Sequence, residues 1–556
     1  SCIINSMSEN LSILIAQTNP KVGDIQANKN HILKAISEFS DCDLIVFSEL
    51  MLTGYPPEDL VLKSAFQKEV NRAANEIASA TKSKNCEVLF GMPWREDGQL
   101  FNAAIIASDG EITFKHFKNA LPNYGVFDEK RVFKSGSDFN VYNIKDKTLG
   151  VFICEDVWVD ETQHRLPKDK IDIAISLNAS PYEIDKPKQR RQLASNFSKL
   201  IQAPLVYVNQ VGGQDELVFD GNSFVIDREE VLFQAKHFNE EYKKIEISPS
   251  NEIIIDESEL KETDNSDEVY SALILGLRDY VSKNKFPGVV VGISGGIDSA
   301  FSICVAVDAL GPDKVKGILM PSKFTSDDSN NDATQLGKNL DVETSSIAIE
   351  DIVNSYESTL EPLFANRKKD ITEENIQSRA RGMLLMAYSN KFGHMVVTNG
   401  NKSEVSVGYS TLYGDMCGGF SVIKDLYKSD LYELAKWRNK NIPSISLYQK
   451  IDLIPQNIIT KEPTAELKPD QMDKDTLPPY DILDKILYLL VEKESSVNEV
   501  VSAGYNEDIV IRVQNMLYNS EYKRRQGAPG VKISERNFGY DRRYPITNGF
   551  RDAKGD

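Results

Sequence analysis

The chain has 556 residues, too many for one hydrophobic core, so two or more domains are expected. Its 41% hydrophobic and 26% charged residues match a soluble globular protein, and a net charge of −19 argues against nucleic acid or a membrane surface as partner, because both are anionic. No apolar run reaches the roughly 18 residues of a membrane helix, and six cysteines without a CxxC spacing fit a reducing cytosol, so a cytoplasmic location is expected. Five scattered histidines argue against a His-rich metal site. Met7 reads as a start, with residues 1–6 as an extension and no signal peptide before Ser12.

From 11 to 250, β-rich runs alternate with helical stretches, and strands are expected at 11–19, 43–49, 87–93, 102–107, 149–155, 172–178 and 205–210. Cys154, in Gly150-Val-Phe-Ile-Cys-Glu-Asp-Val-Trp158, comes at the end of such a run, where a nucleophile can face a pocket on rigid backbone. A thiol so placed needs a base and a donor for the oxyanion it creates. Glu49, ending the run before Thr53-Gly-Tyr-Pro-Pro57, is the candidate base. Lys118, in Phe117-Lys-Asn-Ala-Leu-Pro-Asn-Tyr124, is the candidate electrostatic partner. His116 is a rival base, because a strand over 112–118 would put it on the same face as Lys118. These three contexts, in this order, resemble the Glu–Lys–Cys triad of the nitrilase, or carbon–nitrogen hydrolase, family. That resemblance implies an αββα sandwich over residues 7–250 and a second glutamate at Glu129, in Val126-Phe-Asp-Glu129.

An acidic segment, 256–268, has no sustained apolar period, and 251–268 reads as a linker. Beyond it come a helix over 270–284, a strand over 289–293, a helix over 300–310, strands over 315–320 and 345–349, a helix over 374–392 and a strand over 394–398. Strands separated by helices predict a second α/β domain over 269–556, with a doubly wound parallel, Rossmann-like sheet and ligands at its carboxyl edge. Residues 367–375 and 460–479 are polar or Pro-rich and read as lids. Between strand and helix stands Ser294-Gly-Gly-Ile-Asp-Ser299. Its glycines let backbone N–H groups approach an anion, and the helix end favours negative charge. No lysine follows, so this is not a GxxxxGK[ST] loop. It resembles the SGGxDS loop of ATP pyrophosphatases, which implies ATP at Gly292, Ile293, Ser294, Gly295, Gly296, Ile297, Asp298 and Ser299, with Asp298 helping to hold Mg2+.

Further stretches are similar to the NAD+ synthetase family: Glu373-Glu-Asn-Ile-Gln-Ser-Arg-Ala-Arg381, Thr398-Asn-Gly-Asn-Lys-Ser-Glu404, Tyr409-Ser-Thr-Leu-Tyr-Gly-Asp415, the run 423–435, Pro463-Thr-Ala-Glu-Leu-Lys-Pro469 and Leu477-Pro-Pro-Tyr480. The resemblance implies ATP contacts at Thr398 and Asn399, deamido-NAD+ contacts at Asn375, Arg381, Glu404 and Lys523, and Mg2+ at Asp298 and Glu404. Asn399 stands where the family often has threonine, and Cys417 where a smaller residue is common, read here as packing. From Lys523 to Arg551, eight Lys/Arg face two acids, a cationic segment that a dinucleotide would give a purpose. Together the two halves resemble glutamine-dependent NAD+ synthetases, whose glutamine pocket carries over to Tyr124, Ser180 and Lys186. The implied reaction is ATP-dependent amidation of deamido-NAD+ through an adenylate, with ammonia from glutamine passed through a tunnel, in a homo-oligomer built on a synthetase-domain dimer. Another glutamine-dependent ATP-pyrophosphatase amidotransferase, or a synthetase with a non-catalytic nitrilase-like half, is the alternative.

Overall fold

A computed structural model describes residues 9–158, 165–167, 170–256, 260 and 262–552. Met7 and residues 1–6 lie outside the described residues. The chain divides into two units, one of residues 1–214 and 218–263, the other of 215–217 and 264–556.

The first unit is built on two sheets. In one the strand order is Ile253–Ile254, Glu241–Ile247, Leu11–Gln17, Leu44–Val46, Glu87–Glu96, Gln99–Ser108, Glu111–Phe117. In the other it is Glu230–Gln234, Phe224–Asp227, Leu205–Asn209, Ile173–Asn178, Lys147–Ile153, Val141–Ile144. The two-residue period of a strand divides its side chains between two layers. Leu11, Ile13 and Ile15 pack with Val151, Ile153, Ile175 and Val208 in the core between the sheets. Leu14 and Ala16 point the other way, into a core with Ile32, Ile36, Val70 and Ile77 of the helices Ile25–Glu38 and Ser64–Ala80. On the far side Phe152, Leu205 and Tyr207 pack against Ala194 and Phe197 of the helix Lys186–Ile201. The layers are therefore helix, sheet, sheet, helix, as expected.

The second unit holds five parallel strands in the order Glu343–Ser346, Val315–Leu319, Val289–Ile293, Met395–Thr398, Phe420–Ser421. Chain order runs outward from Val289–Ile293 to one side and then resumes on the other, so the sheet is doubly wound. The topological switch point lies between Val289–Ile293 and Met395–Thr398. The helix Ile297–Leu310 follows the first strand, and the helices Tyr480–Val491, Val497–Ser502 and Glu507–Asn519 form a further apolar cluster. Among the described residues no helix is long and apolar enough to cross a membrane.

Several elements depart from expectation. The run 43–49 is a strand only over Leu44–Val46, and 149–155 only up to Ile153, so Glu49 and Cys154 stand just beyond strand ends. The strand read at 345–349 is Glu343–Ser346, an exposed edge. The apolar Ile349 that suggested it is fully buried after the strand has ended. Half of the 367–375 lid is helix, because Asp370 and Glu373 form a capping box that starts Ile371–Phe392. The 251–268 segment is also less open than read: Ile253–Ile254 pairs with Glu241–Ile247, and a helix begins at Asn265.

Candidate active sites

In the first unit Glu49, Lys118 and Cys154 each follow the carboxyl end of a strand: Leu44–Val46, Glu111–Phe117 and Lys147–Ile153. Gly91 makes room for the first, since a Cβ there would lie 2.1 Å from the Leu50 nitrogen. Lys118 Nζ donates to Glu49 Oε1 at 2.7 Å and to Glu129 Oε1 at 3.0 Å. Glu49 also accepts from Asn102 Nδ2 at 2.8 Å and from the Ala179 N–H at 3.0 Å, and Tyr55 donates to Glu129 at 2.8 Å. Glu49, Lys118, Glu129 and Cys154 are all buried. Burial alone would lower the Lys118 ammonium, but the charges of Glu129 and Glu49 outweigh it and hold the ammonium well above its ordinary range. One ammonium between two carboxylates leaves an excess negative charge. Burial, with Glu49 adding to it and Lys118 opposing, pushes the Glu129 carboxyl up to about 7. Burial and then the Glu49 charge push the Cys154 thiol well above its ordinary range, so the resting sulfur keeps its proton. Cys154 has φ +44°, a left-handed conformation that a non-glycine residue adopts where its surroundings impose it.

The other candidates on this side are placed less uniformly. Tyr124 is exposed and donates to Glu155 Oε1 at 2.8 Å. Burial, then the Glu155 charge, raises the Tyr124 phenol well above its ordinary range. Ser180 is buried, its hydroxyl oxygen accepting from Arg190 Nε at 3.0 Å. Lys186 opens its helix with Nζ 5.2 Å from the Trp158 ring centre. The rival base His116 has Asp156 as its partner, with Nε2 at 2.8 Å, and its Nδ1 is buried without a hydrogen bond. It does not pair with Cys154.

In the second unit a cavity of about 300 Å3 opens at the switch point. Its wall takes Gly292, Ile293, Ser294, Gly296, Ile297, Asp298 and Ser299 from the first strand and its turn, and Thr398, Asn399 and Glu404 from the fourth. Gly295 is not part of the wall, and at φ +81° it passes so close to Ser329 that a Cβ would lie 2.4 Å from its backbone oxygen. Asn399 Nδ2 ties the two strand ends together through Gly292 O at 3.0 Å. The Asp298 carboxylate pairs with Lys428 Nζ and accepts from Asn401 Nδ2 at 2.8 Å. Burial, then the Asp298 charge, raises the Glu404 carboxyl well above its ordinary range, with Lys428 opposing. Arg381 lies in the wall and donates to Met320 O at 3.0 Å, and burial lowers its guanidinium to about 10. Cys417, read as packing, is half-buried and also lines the cavity. The 460–479 segment lines it too, from Lys461 to Leu467 and at Asp473.

Two groups of candidates stand apart from the cavity wall. Asn375 lies outside the wall, its carboxamide oxygen accepting from the Thr411 hydroxyl at 3.0 Å. The cationic C-terminal segment is largely spent on the protein itself. Arg524 and Arg542 share Glu521, Lys532 pairs with Asp541, and Arg536 with Glu494. Of the eight cations only Lys523 and Arg524 line the cavity. Lys523 Nζ already donates to Gly408 O at 2.8 Å and Ser410 O at 2.7 Å. The sequence reading passed over Lys428, Lys461 and Asn401, although Lys428 and Asn401 lay within the quoted stretches. A lysine that opens a helix carries no mark of the carboxylate it will meet. Among the described residues no group of three or more His, Cys, Asp or Glu could by itself hold a metal.

The carbon–nitrogen hydrolase family model matches residues 13–251, and the NAD synthase model residues 269–527. The glutamine-dependent NAD(+) synthetase of Acinetobacter baylyi is 44% identical over 98% of this chain and 99% of its own. That of Thermotoga maritima is 42% identical, again over 98% and 99%. The chain belongs to the glutamine-dependent NAD(+) synthetases. Within this family a solved structure from Acinetobacter baumannii, in complex with ADP, is 41% identical and superposes with a TM-score of 0.77 over 98% of this chain and 100% of that one.

Proposed function

We propose that this ligase converts deamido-NAD+ to NAD+ with ATP, using ammonia that it releases from glutamine at a separate centre. The observation that carries the reading is the buried Glu49–Lys118–Glu129 cluster beside Cys154, in one chain with a cavity built on the 294–299 turn. Glu49 takes the thiol proton as Cys154 sulfur attacks the glutamine amide carbon, and the Lys118 ammonium stabilises the oxyanion. The proton passes to the leaving nitrogen, ammonia departs, and water cleaves the thioester to glutamate and free thiol. Tyr124, Ser180 and Lys186 hold the amino-acid end of the substrate.

In the cavity the nicotinate carboxylate displaces pyrophosphate from the ATP α-phosphorus, and ammonia then displaces AMP. Backbone N–H groups of 294–299, with Lys428 and Lys461, take up phosphate charge. Asp298 and Glu404 fit Mg2+, which commonly takes one or two carboxylates and completes its shell with water and substrate phosphate. Their mutual repulsion, visible in the raised Glu404 carboxyl, is what a cation would relieve. Bound there, Mg2+ would offset charge on the phosphates. Amide-15N glutamine tests the whole reading: labelled NAD+ with AMP and glutamate supports it, and a purified chain that releases no glutamate overturns it.

A second copy of the chain is the proposed partner. The helix Glu350–Phe364 has no buried residue, and Leu363, Ile371, Met383 and Phe392 are exposed on it and on its neighbour Ile371–Phe392. Sedimentation at micromolar concentration should give at least twice the chain mass; a monomer would refute it.

A further inference from the structure

Asp156 stands two residues after Cys154, in the short turn Cys154–Val157, and its side chain is fully buried. Among the described residues its carboxylate accepts four hydrogen bonds. Oδ1 takes the N–H groups of Asn119 at 2.9 Å and Ala120 at 3.0 Å. Oδ2 takes the Ile153 N–H at 2.9 Å and His116 Nε2 at 2.8 Å. Ionised, a carboxylate offers about four acceptor sites, and these four donors suffice to fill them.

The four donors surround the reacting groups. His116 lies two residues before Lys118, Asn119 and Ala120 follow it directly, and Ile153 immediately precedes Cys154. One carboxylate thus ties the His116 ring before the ammonium, and the backbone just after it, to the backbone that delivers the sulfur. Cys154 also needs such a tie, because its positive φ persists only where neighbours impose it. His116 is the side-chain member of the set. A carboxylate only accepts, so His116 Nε2 carries the proton. The ring stacks on Phe139 with centres 5.1 Å apart.

We propose that Asp156 is a positioning residue for glutamine hydrolysis, and that His116 acts as its hydrogen-bond donor rather than as a base for Cys154. The proposal rests on the reading of Glu49, Lys118 and Cys154 as the reacting set. In Asp156→Asn one oxygen becomes an NH2 that must face a pair of donors, so one of the two ties breaks. Misplacement of this kind should lower kcat for glutamine hydrolysis about 100-fold. KM for glutamine should move less than about threefold, since the substrate contacts are untouched. Alkylation of Cys154 by iodoacetamide, which needs no glutamine site, should slow in parallel. NAD+ synthesis from ammonium should stay as in wild type.

A paired test separates donor from base. His116→Gln keeps an N–H for Asp156 and should stay within about fivefold of wild type, whereas His116→Phe keeps the stack on Phe139, loses the donor and should fall like Asp156→Asn. These two variants decide the matter if Asp156→Asn does not fold. Equal rates for the two His116 variants, whether both fall or neither does, would overturn the proposal, as would a wild-type kcat and alkylation rate in folded Asp156→Asn. Cys154→Ala is the control. If it still hydrolyses glutamine, the reading of the reacting set fails. If it is dead while Asp156→Asn and His116→Phe run at wild-type rates, only the positioning proposal fails.

Discussion

The centre around Cys154 and the nucleotide cavity differ in how much of their charge is already paired within the protein. Around Cys154 the Lys118 ammonium is shared by Glu49 and Glu129 at hydrogen-bond distance, and all three are buried. In the cavity Asp298 and Glu404 repel each other, and Lys461, Arg381 and Lys523 line an open wall. The difference follows from the substrates. A neutral amide brings no charge to organise, so the charges that stabilise its oxyanion must be fixed beforehand. ATP and a dinucleotide bring several negative charges, which wall cations such as Arg381 and Lys523 can meet, although Lys428 already has Asp298.

A reciprocal pair of variants tests this division most strongly. Cys154→Ala should abolish glutamine-dependent NAD+ formation while synthesis from ammonium continues. Asp298→Asn should lower adenylation about 100- to 1,000-fold with either nitrogen source, while glutamine hydrolysis measured alone persists. Pyrophosphate exchange into ATP and glutamate release read the two centres separately. Loss of both activities in either folded variant would break the comparison.

How far the two centres could be read from the sequence follows the same divide. Glu49 and Cys154 were legible because each follows an apolar run whose end fixes its place, Lys118 through the family resemblance of the residues around it, and the 294–299 turn because glycines between a strand and a helix admit few conformations. Asp156 was not, because its four partners lie 3 to 40 positions away and nothing local marks a carboxylate as a backbone tie. The cationic C-terminal segment misled for a related reason: net charge along the chain does not show that Glu521, Glu494 and Asp541 return to meet it. Strand lengths were overestimated at 43–49 because Phe47 and Leu50 are buried beyond the last ladder pair, and apolar pattern cannot tell strand from buried loop.

Lys523 sharpens the contrast at the cavity. Burial lowers its ammonium, and Asp415 opposes that shift. Two carbonyls of the 408–410 turn hold it, yet among the described residues no carboxylate pairs with it directly. It therefore keeps charge to offer to a substrate anion and shapes the turn at the same time. Lys523→Ala should raise the half-saturating deamido-NAD+ concentration about tenfold or more with both glutamine and ammonium. Lys523→Gln, which can still donate to the turn, should recover little of that loss if charge matters most. Full recovery would make the lysine a turn clamp.

The smallest effect belongs to the paired centre and is a matter of pH. The Glu129 carboxyl is pushed up to about 7 from an ordinary 4.5, first by burial and then by Glu49, against the pull of Lys118. Below about 4.5 the group is protonated in both folded and unfolded chains, and its contribution to stability is fully present. As pH rises from there the unfolded chain gives up this proton while the folded chain keeps it, so stability is lost until the folded carboxyl also titrates, near 7. The slope from this one group is at most about 1.4 kcal/mol per pH unit, and it should flatten above the folded value. Glu129→Gln removes the titration and leaves Lys118 facing Glu49 alone. Wild type minus variant, in unfolding of the full chain followed at several pH values, should therefore decline across this window. ATP should not change that difference, because the group belongs to the centre whose charges are already paired. An identical pH dependence in wild type and Glu129→Gln would mean that the excess charge of the cluster is carried elsewhere, and the contrast between a paired and a waiting centre would lose its clearest electrostatic signature.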